Sequence, residues 1–252
     1  LNLREYCLFV VFLLMTKSIL HKAETRGHAN HGWLNAHHSF SFASYYNPER
    51  THFGVLRVLN DDEIAAGMGF GTHPHDNMEI ITIPLEGALE HKDSMGNTAV
   101  IRSGDVQVMS AGSGITHSEY NASKTDPLKL LQIWIFSNKK NVTPRYDEIT
   151  LKKEERKNNL QQILSPNPDD AGVWIHQDAW FHMGDFDAGQ KQEYQLKKSG
   201  NGIYLFVIKG KVFVNENLLD TRDAIGIWDA DSITIMADTN CEVLVMDVPM
   251  AN

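Results

Sequence analysis

Two short clusters of metal-capable side chains, His73-Pro74-His75 and His117-Ser118-Glu119, constrain this chain more than any other feature. Each places two potential ligands at i and i+2. On a β-strand those positions share one face, because successive side chains alternate sides. Two such strands facing each other across a small barrel would converge three imidazoles and one carboxylate on one point. A metal site is the chemistry that such a convergence serves.

The flanking sequence is strand-like. Val55-Leu56-Arg57-Val58-Leu59, Met78 to Ile83, Asp105 to Met109 and Leu130 to Phe136 are short β-rich runs separated by Gly and Asn/Asp turns. Many short strands at regular spacing predict a barrel or sandwich. Residues 151–163 carry many charges and no Gly or Pro, so they read as a short helix or a solvated linker. Ser165-Pro166-Asn167-Pro168 is a loop. Strand-like runs then resume at Val173, Ile203, Lys211 and Val243.

The second half echoes the first. Asp105 to Met109 matches Asp223 to Ile227 in character, and at the same offset His117 meets Ile235 and Glu119 meets Ala237. Leu85-Glu86-Gly87 meets Ile208-Lys209-Gly210 at a larger offset, which sets His73 and His75 against Leu196 and Lys198. The second unit is therefore expected to keep the barrel and lack the ligands.

Composition excludes some classes of function. The chain has 252 residues, a net charge of −9 and no basic block, which disfavours a phosphate-tracking nucleic-acid surface. Cys7 and Cys241 suggest no disulfide framework, so a cytoplasmic setting is the expectation. Leu8 to Leu14 is an apolar run too short to span a bilayer. Residues 1–14 read as an extension upstream of a start at Met15; a targeting segment is the alternative.

The first cluster lies in the pattern Gly67-x5-His73-x-His75-x3-Glu79-x7-Gly87. The second lies in Gly104-x5-Ser110-x-Gly112-x4-His117-x3-Asn121. These resemble the two cupin motifs, with small departures before Gly87 and His117 and with Ser110 where proline is common. Arg26-Gly27-His28, His38-Ser39-Phe40-Ser41-Phe42-Ala43, Gly71 to His75, His91 to Gly96 and Met109 to Ile115 resemble the pirin branch of the cupins. The similarity is closest to the bacterial pirin-like quercetin 2,3-dioxygenases.

The resemblance implies an all-β bicupin: two tandem cupin barrels in one chain. The expected divisions are 15–148 for a metal-binding barrel, 149–170 for a linker and 171–252 for a degenerate barrel. It also implies the ligand set His73, His75, His117 and Glu119. Spacing alone leaves the carboxylate open, because Glu79 fills the usual cupin glutamate position and lies an even number of residues from His73. The resemblance favours Glu119 as ligand and Glu79 as its partner, with either as proton acceptor.

Three imidazoles and a carboxylate suit one divalent transition metal. Fe(II) is the expectation, with Ni, Cu, Mn, Co or Zn as alternatives. The implied activity is dioxygenase cleavage of the flavonol ring of quercetin, or of a related enolic phenol, by O2. The alternatives are a metal- or redox-responsive regulator with a protein partner and a metal-dependent isomerase. A monomer without membrane or direct nucleic-acid contacts is expected.

His28, His31, His37 and His38 read as locally bonded, and His91 as a solvated strand residue. His176 and His182 have no supporting ligand pattern. Phe53, Arg57, Gln132 and Trp134 read as core-packing residues rather than substrate contacts, and Tyr45 and Tyr46 as packing for the N-terminal arm.

Overall fold

The computed structural model describes residues 16–251, so the apolar run within residues 1–14 lies outside the described residues. Among them the regular secondary structure is almost entirely strand, in two seven-stranded and two four-stranded sheets. The first large sheet reads, in spatial order, Arg145–Thr150, Asp105–Ser110, Met78–Glu86, Leu128–Phe136, Leu56–Ile64, Leu34–His38 and Gly27–Asn30. Facing it are Gly69–His75, Ile115–Asn121, Ala88–Asp93 and Thr98–Arg102. The second unit repeats this plan. Its large sheet runs Lys17–His21, Ala224–Trp228, Asn201–Lys209, Cys241–Pro249, Trp180–Phe186, Leu160–Ser165 and Val173–Trp174. Its small sheet runs Lys191–Gln195, Ser232–Ala237, Val212–Val214 and Asn217–Leu219.

Two boundaries differ from the sequence expectation. Lys17–His21 pairs with Ala224–Trp228 and so belongs to the second sheet, although it precedes the first barrel in sequence. The stretch expected to be a linker has one helical turn, Lys153–Arg156, and then the strand Leu160–Ser165 of the second sheet. Neither is visible in local propensity, because both depend on partners far along the chain.

Strand alternation decides where the cores form. Along Leu128–Phe136, odd residues Leu131, Ile133 and Ile135 join Ile81 and Ile83 in a cluster shared with Tyr204, Phe206, Leu244 and Met246 of the second unit. The two large sheets thus bury their outer faces against each other. Truncating a fully buried aromatic there, such as Phe206→Ala, is expected to cost about 3–5 kcal/mol. At one edge of this interface Asp61 receives both Arg26 and Arg222, each at 3.1 Å.

Leu128, Leu130, Gln132 and Trp134 of the same strand face the interior of the first barrel. There the apolar side chains form two separate groups, one around Leu34, Ile64, Leu89, Leu128 and Leu130, the other around Ile80, Met109, Ala111 and Ile115. A row of polar side chains lies between them. His38, Asn60, Gln132, Thr82 and Gln107 stand in register across five adjacent strands. The arm after His38 leaves this sheet, and Arg57 holds it by donating to the Ser41 and Thr51 carbonyls.

Candidate metal centre

Gly69–His75 and Ile115–Asn121 pair antiparallel with His117 directly opposite His73 and Ile115 opposite His75. A register shift between His117 and Glu119 follows. The three imidazoles form a near-equilateral group, with ring centroids 4.4 Å (His73 to His117), 4.9 Å (His73 to His75) and 4.9 Å (His75 to His117) apart. Their nitrogens lie close enough to share one ion. The Nδ1 of His73 sits 2.7 Å from the Gly71 carbonyl, so it donates there and leaves Nε2 free to face the cluster.

Burial is the main influence on the charge of His75 and His117. It pulls the His75 pKa down to about 4, with His73 adding to the effect. His117 is depressed further, by burial first and then by His73 and His75. These rings are therefore neutral near pH 7, the form that coordinates a metal. Both ring nitrogens of His117 are buried with no hydrogen-bond partner. Buried polar atoms are normally paired. The donor set and these unpartnered nitrogens fit a bound transition metal.

Glu119 is 4% exposed and inside the barrel. Both of its oxygens accept from Gln132 Nε2, at 3.2 and 3.1 Å, and Gln132 in turn accepts from Thr82 Oγ1 at 3.1 Å. This chain settles which way the Gln132 amide points. Burial raises the Glu119 pKa, and the Gln132 hydrogen bonds oppose that rise. Glu119 groups most closely with His117 and with His91, which stands opposite it on Ala88–Asp93.

His91 corrects the sequence reading. It is fully buried, its ring centroid is 5.3 Å from that of His117, and its Nε2 is 3.5 Å from Asp93. The available signal was its alternation with buried Leu89 on the inward face of a strand.

Glu79 is the second correction. It does not join the histidines. The turn at Asp76 and Asn77, with Asn77 at φ +47°, carries the chain from the small sheet to the large one, so even spacing from His73 no longer fixes the face. Glu79 shares its face with Ile81 and Ile83 and is directed to the interface between the units, where Ser110 Oγ donates to it at 2.6 Å. Burial raises its pKa, and Ser110 is the leading opposing influence.

A half-open pocket of about 180 Å³ leads to the cluster. Phe42, Phe70 and Trp134 form its apolar walls, while Asn60, Asp62 and Gln132 bring polar groups to its floor. Gln132 and Trp134 are therefore pocket residues, contrary to their reading as core packing. Phe53 does pack in the core. Tyr45 packs on Gly27, but Tyr46 is 74% exposed. His38 supports the floor, with Nδ1 2.8 Å from Asn60 Oδ1. Asp62 went unnoticed in the sequence; burial, then Asp61 and Glu119, push its carboxyl up to about 8.

The fold and the cluster define a class: a bicupin with one metal-capable barrel. The chain belongs to the pirin family. Residues 20–135 match the Pirin family and residues 162–248 match the family described as the quercetinase C-terminal cupin domain. It is 46% identical over 230 residues to the quercetin 2,3-dioxygenase of Escherichia coli K12, covering 91% of this chain and 98% of that one. The crystal structure of the bacterial pirin YhhW in complex with nickel(II), from Escherichia coli, superposes with a TM-score of 0.88 at 44% identity. That match covers 92% of this chain and 99% of the other. A quercetin 2,3-dioxygenase structure from Acinetobacter baumannii, 22% identical with a TM-score of 0.72, shares the fold. Among the described residues no helix is long and apolar enough to cross a membrane.

Proposed function

We propose that this chain is a metal-dependent dioxygenase that opens the flavonol ring of quercetin or a related enolic phenol. One divalent metal, Fe(II) by preference, would be held by His73, His75, His117 and Glu119. The observation that carries the reading is a cluster of three imidazoles, of which burial holds His75 and His117 neutral, opening onto an aromatic-walled pocket. The similarity to the Escherichia coli quercetin 2,3-dioxygenase supports the same assignment.

A bound metal of this donor set supplies Lewis acidity toward an enolic oxygen and redox chemistry toward dioxygen. The chain's own residues supply the rest. Phe42, Phe70 and Trp134 give a planar substrate flat apolar faces and exclude water from it. His73 is locked in one tautomer by Gly71. Glu119 is the carboxylate placed to accept the proton of the substrate's enolic hydroxyl, with Gln132 holding its oxygens in position. Glu79 takes no part, since its side chain is directed to the other face of the sheet.

Oxygen uptake with quercetin by protein of measured metal content tests this reading. Turnover that requires both metal and dioxygen is the expected result. Metal-dependent conversion without dioxygen would instead identify an isomerase, and no conversion by metal-loaded protein would remove the enzymatic reading for this substrate class.

A further inference from the structure

We infer that Asp62 is a substrate-recognition residue that hydrogen-bonds a peripheral hydroxyl of a planar polyphenol lying in the pocket, and so selects polyhydroxylated flavonols over bare ones. The inference rests on the reading that this pocket takes flavonols. It adds which part of the substrate is recognised and by what.

The argument begins with strand alternation. Along Leu56–Ile64, Asp61 and Glu63 face outward while Asn60, Asp62 and Ile64 face the barrel interior. Asp61 is engaged with Arg26 and Arg222, whereas Asp62 is 6% exposed and lines the pocket. Its Oδ1 is buried and has no hydrogen-bond partner. An unpaired carboxyl oxygen in such a place is costly, and a ligand atom would remove the cost.

The neighbouring polar oxygens are already engaged. Asn60 Oδ1 is paired with His38, and Gln132 bridges Thr82 and Glu119. The other buried polar atom of the lining without a partner is Trp134 Nε1. Trp134 and Asp62 flank the polar row on opposite sides, because Asp62 pairs with Leu130 and Trp134 with Val58. Four residue steps of extended strand separate Leu130 from Trp134, roughly 13 Å. That is longer than one aromatic ring and comparable to a fused ring system bearing a further ring. A ligand spanning the pocket would pass Glu119 and the histidines with one part while meeting an N–H near one end and Asp62 near the other. A hydroxyl suits Asp62 in either protonation state, since it donates to a carboxylate and accepts from an acid.

The test compares two probes on the metal-loaded full chain without oxygen: quercetin, and 3-hydroxyflavone, which keeps only the 3-hydroxyl. Dissociation constants follow from tryptophan fluorescence quenching. The wild-type protein should bind quercetin roughly 10–100-fold more tightly, the scale of leaving one buried polar group without its hydrogen bond. Asp62→Leu should bring the ratio to within about threefold by weakening quercetin alone, at unchanged metal content. Should that variant not fold, Asp62→Ala carries the same comparison. Equal wild-type affinities, or a variant that weakens both probes equally, would overturn the assignment. Because binding is read without turnover, Asp62-dependent preference in a protein that consumes no oxygen would sink the dioxygenase reading alone. Equal turnover and binding of both probes would sink Asp62 alone.

Discussion

The two barrels share one ladder of strands and differ in what fills them. In the first, Gln132 stands between Asn60 and Thr82 in the inward-facing polar row. At the matching rungs of the second stand His182, Val245, Leu205 and Ile225. The small sheets differ in the same way. His73 faces His117 in the first, and Gln192 faces Ile235 in the second; His75 faces Ile115, and Tyr194 faces Ile233. Glu119 corresponds to Ala237. The second barrel's interior is one continuous apolar cluster, which contains Tyr194, Ile233, Ile235, Ala237 and Val245. Its remaining polar groups are largely paired: Tyr194 donates to Asp247 at 3.0 Å, and Asp247 also accepts from Asn201 and from the Lys197 N–H. The first barrel leaves more of them unpartnered, on His91, His117, Asp62 and Trp134, against His182 Nδ1 in the row of the second. One fold thus supports a closed packing unit or an open site, according to which side chains occupy two facing rows.

The largest effect that would break this contrast is loss of the proposed ligands. His73→Ala, His75→Ala and His117→Ala should each abolish stoichiometric metal binding, measured on purified protein. Near one metal per chain in any of them contradicts the cluster.

Next comes the support of the carboxylate. Gln132→Leu removes the donor to both Glu119 oxygens and should lower metal affinity roughly 10–100-fold. Glu119→Gln should lower it at least as far, while Glu79→Gln should leave it within about twofold. Equal losses for Glu79 and Glu119 would show that the two faces of the sheet are not independent.

A smaller effect tests the filling of the second barrel. Val245→Gln places the first barrel's amide in the second barrel's apolar core and should destabilise by roughly 1–3 kcal/mol in denaturant unfolding, with metal content unchanged. A neutral result would mean that this interior tolerates polarity as the first one does.

The last is a pH effect at His182, which burial depresses to about 3. Between about 6.5 and about 3 the unfolded chain binds a proton that the folded chain excludes. His182 therefore contributes stability above about 6.5 that is lost as pH falls toward about 3. His182→Leu should flatten the difference in stability between neutral and mildly acidic pH. An unchanged slope would show that His182 is not the source.

Legibility in sequence followed the range of the interactions. The histidine clusters could be read because i, i+2 spacing on paired strands is local. Glu79 was misplaced because a two-residue turn transfers the chain between sheets. The repeat was set at the wrong offset for one strand: the connection 196–200 is longer than 76–77, so Gln192 and Tyr194, rather than Leu196 and Lys198, match His73 and His75. Gln132, His91 and Asp62 are single polar residues at inward positions, and only the register across strands shows what they meet. The placement of Lys17–His21 in the second sheet rests on a partner some two hundred residues away, which no local pattern reports.

The central claim is that one barrel holds a metal and the other does not. Anomalous scattering at the metal edge, from crystals of the metal-loaded full chain, tests it directly. One well-occupied peak among His73, His75, His117 and Glu119 is the result expected. A second such peak inside the C-terminal barrel, near Tyr194 and Ile235, or a first peak at Glu79, would contradict it.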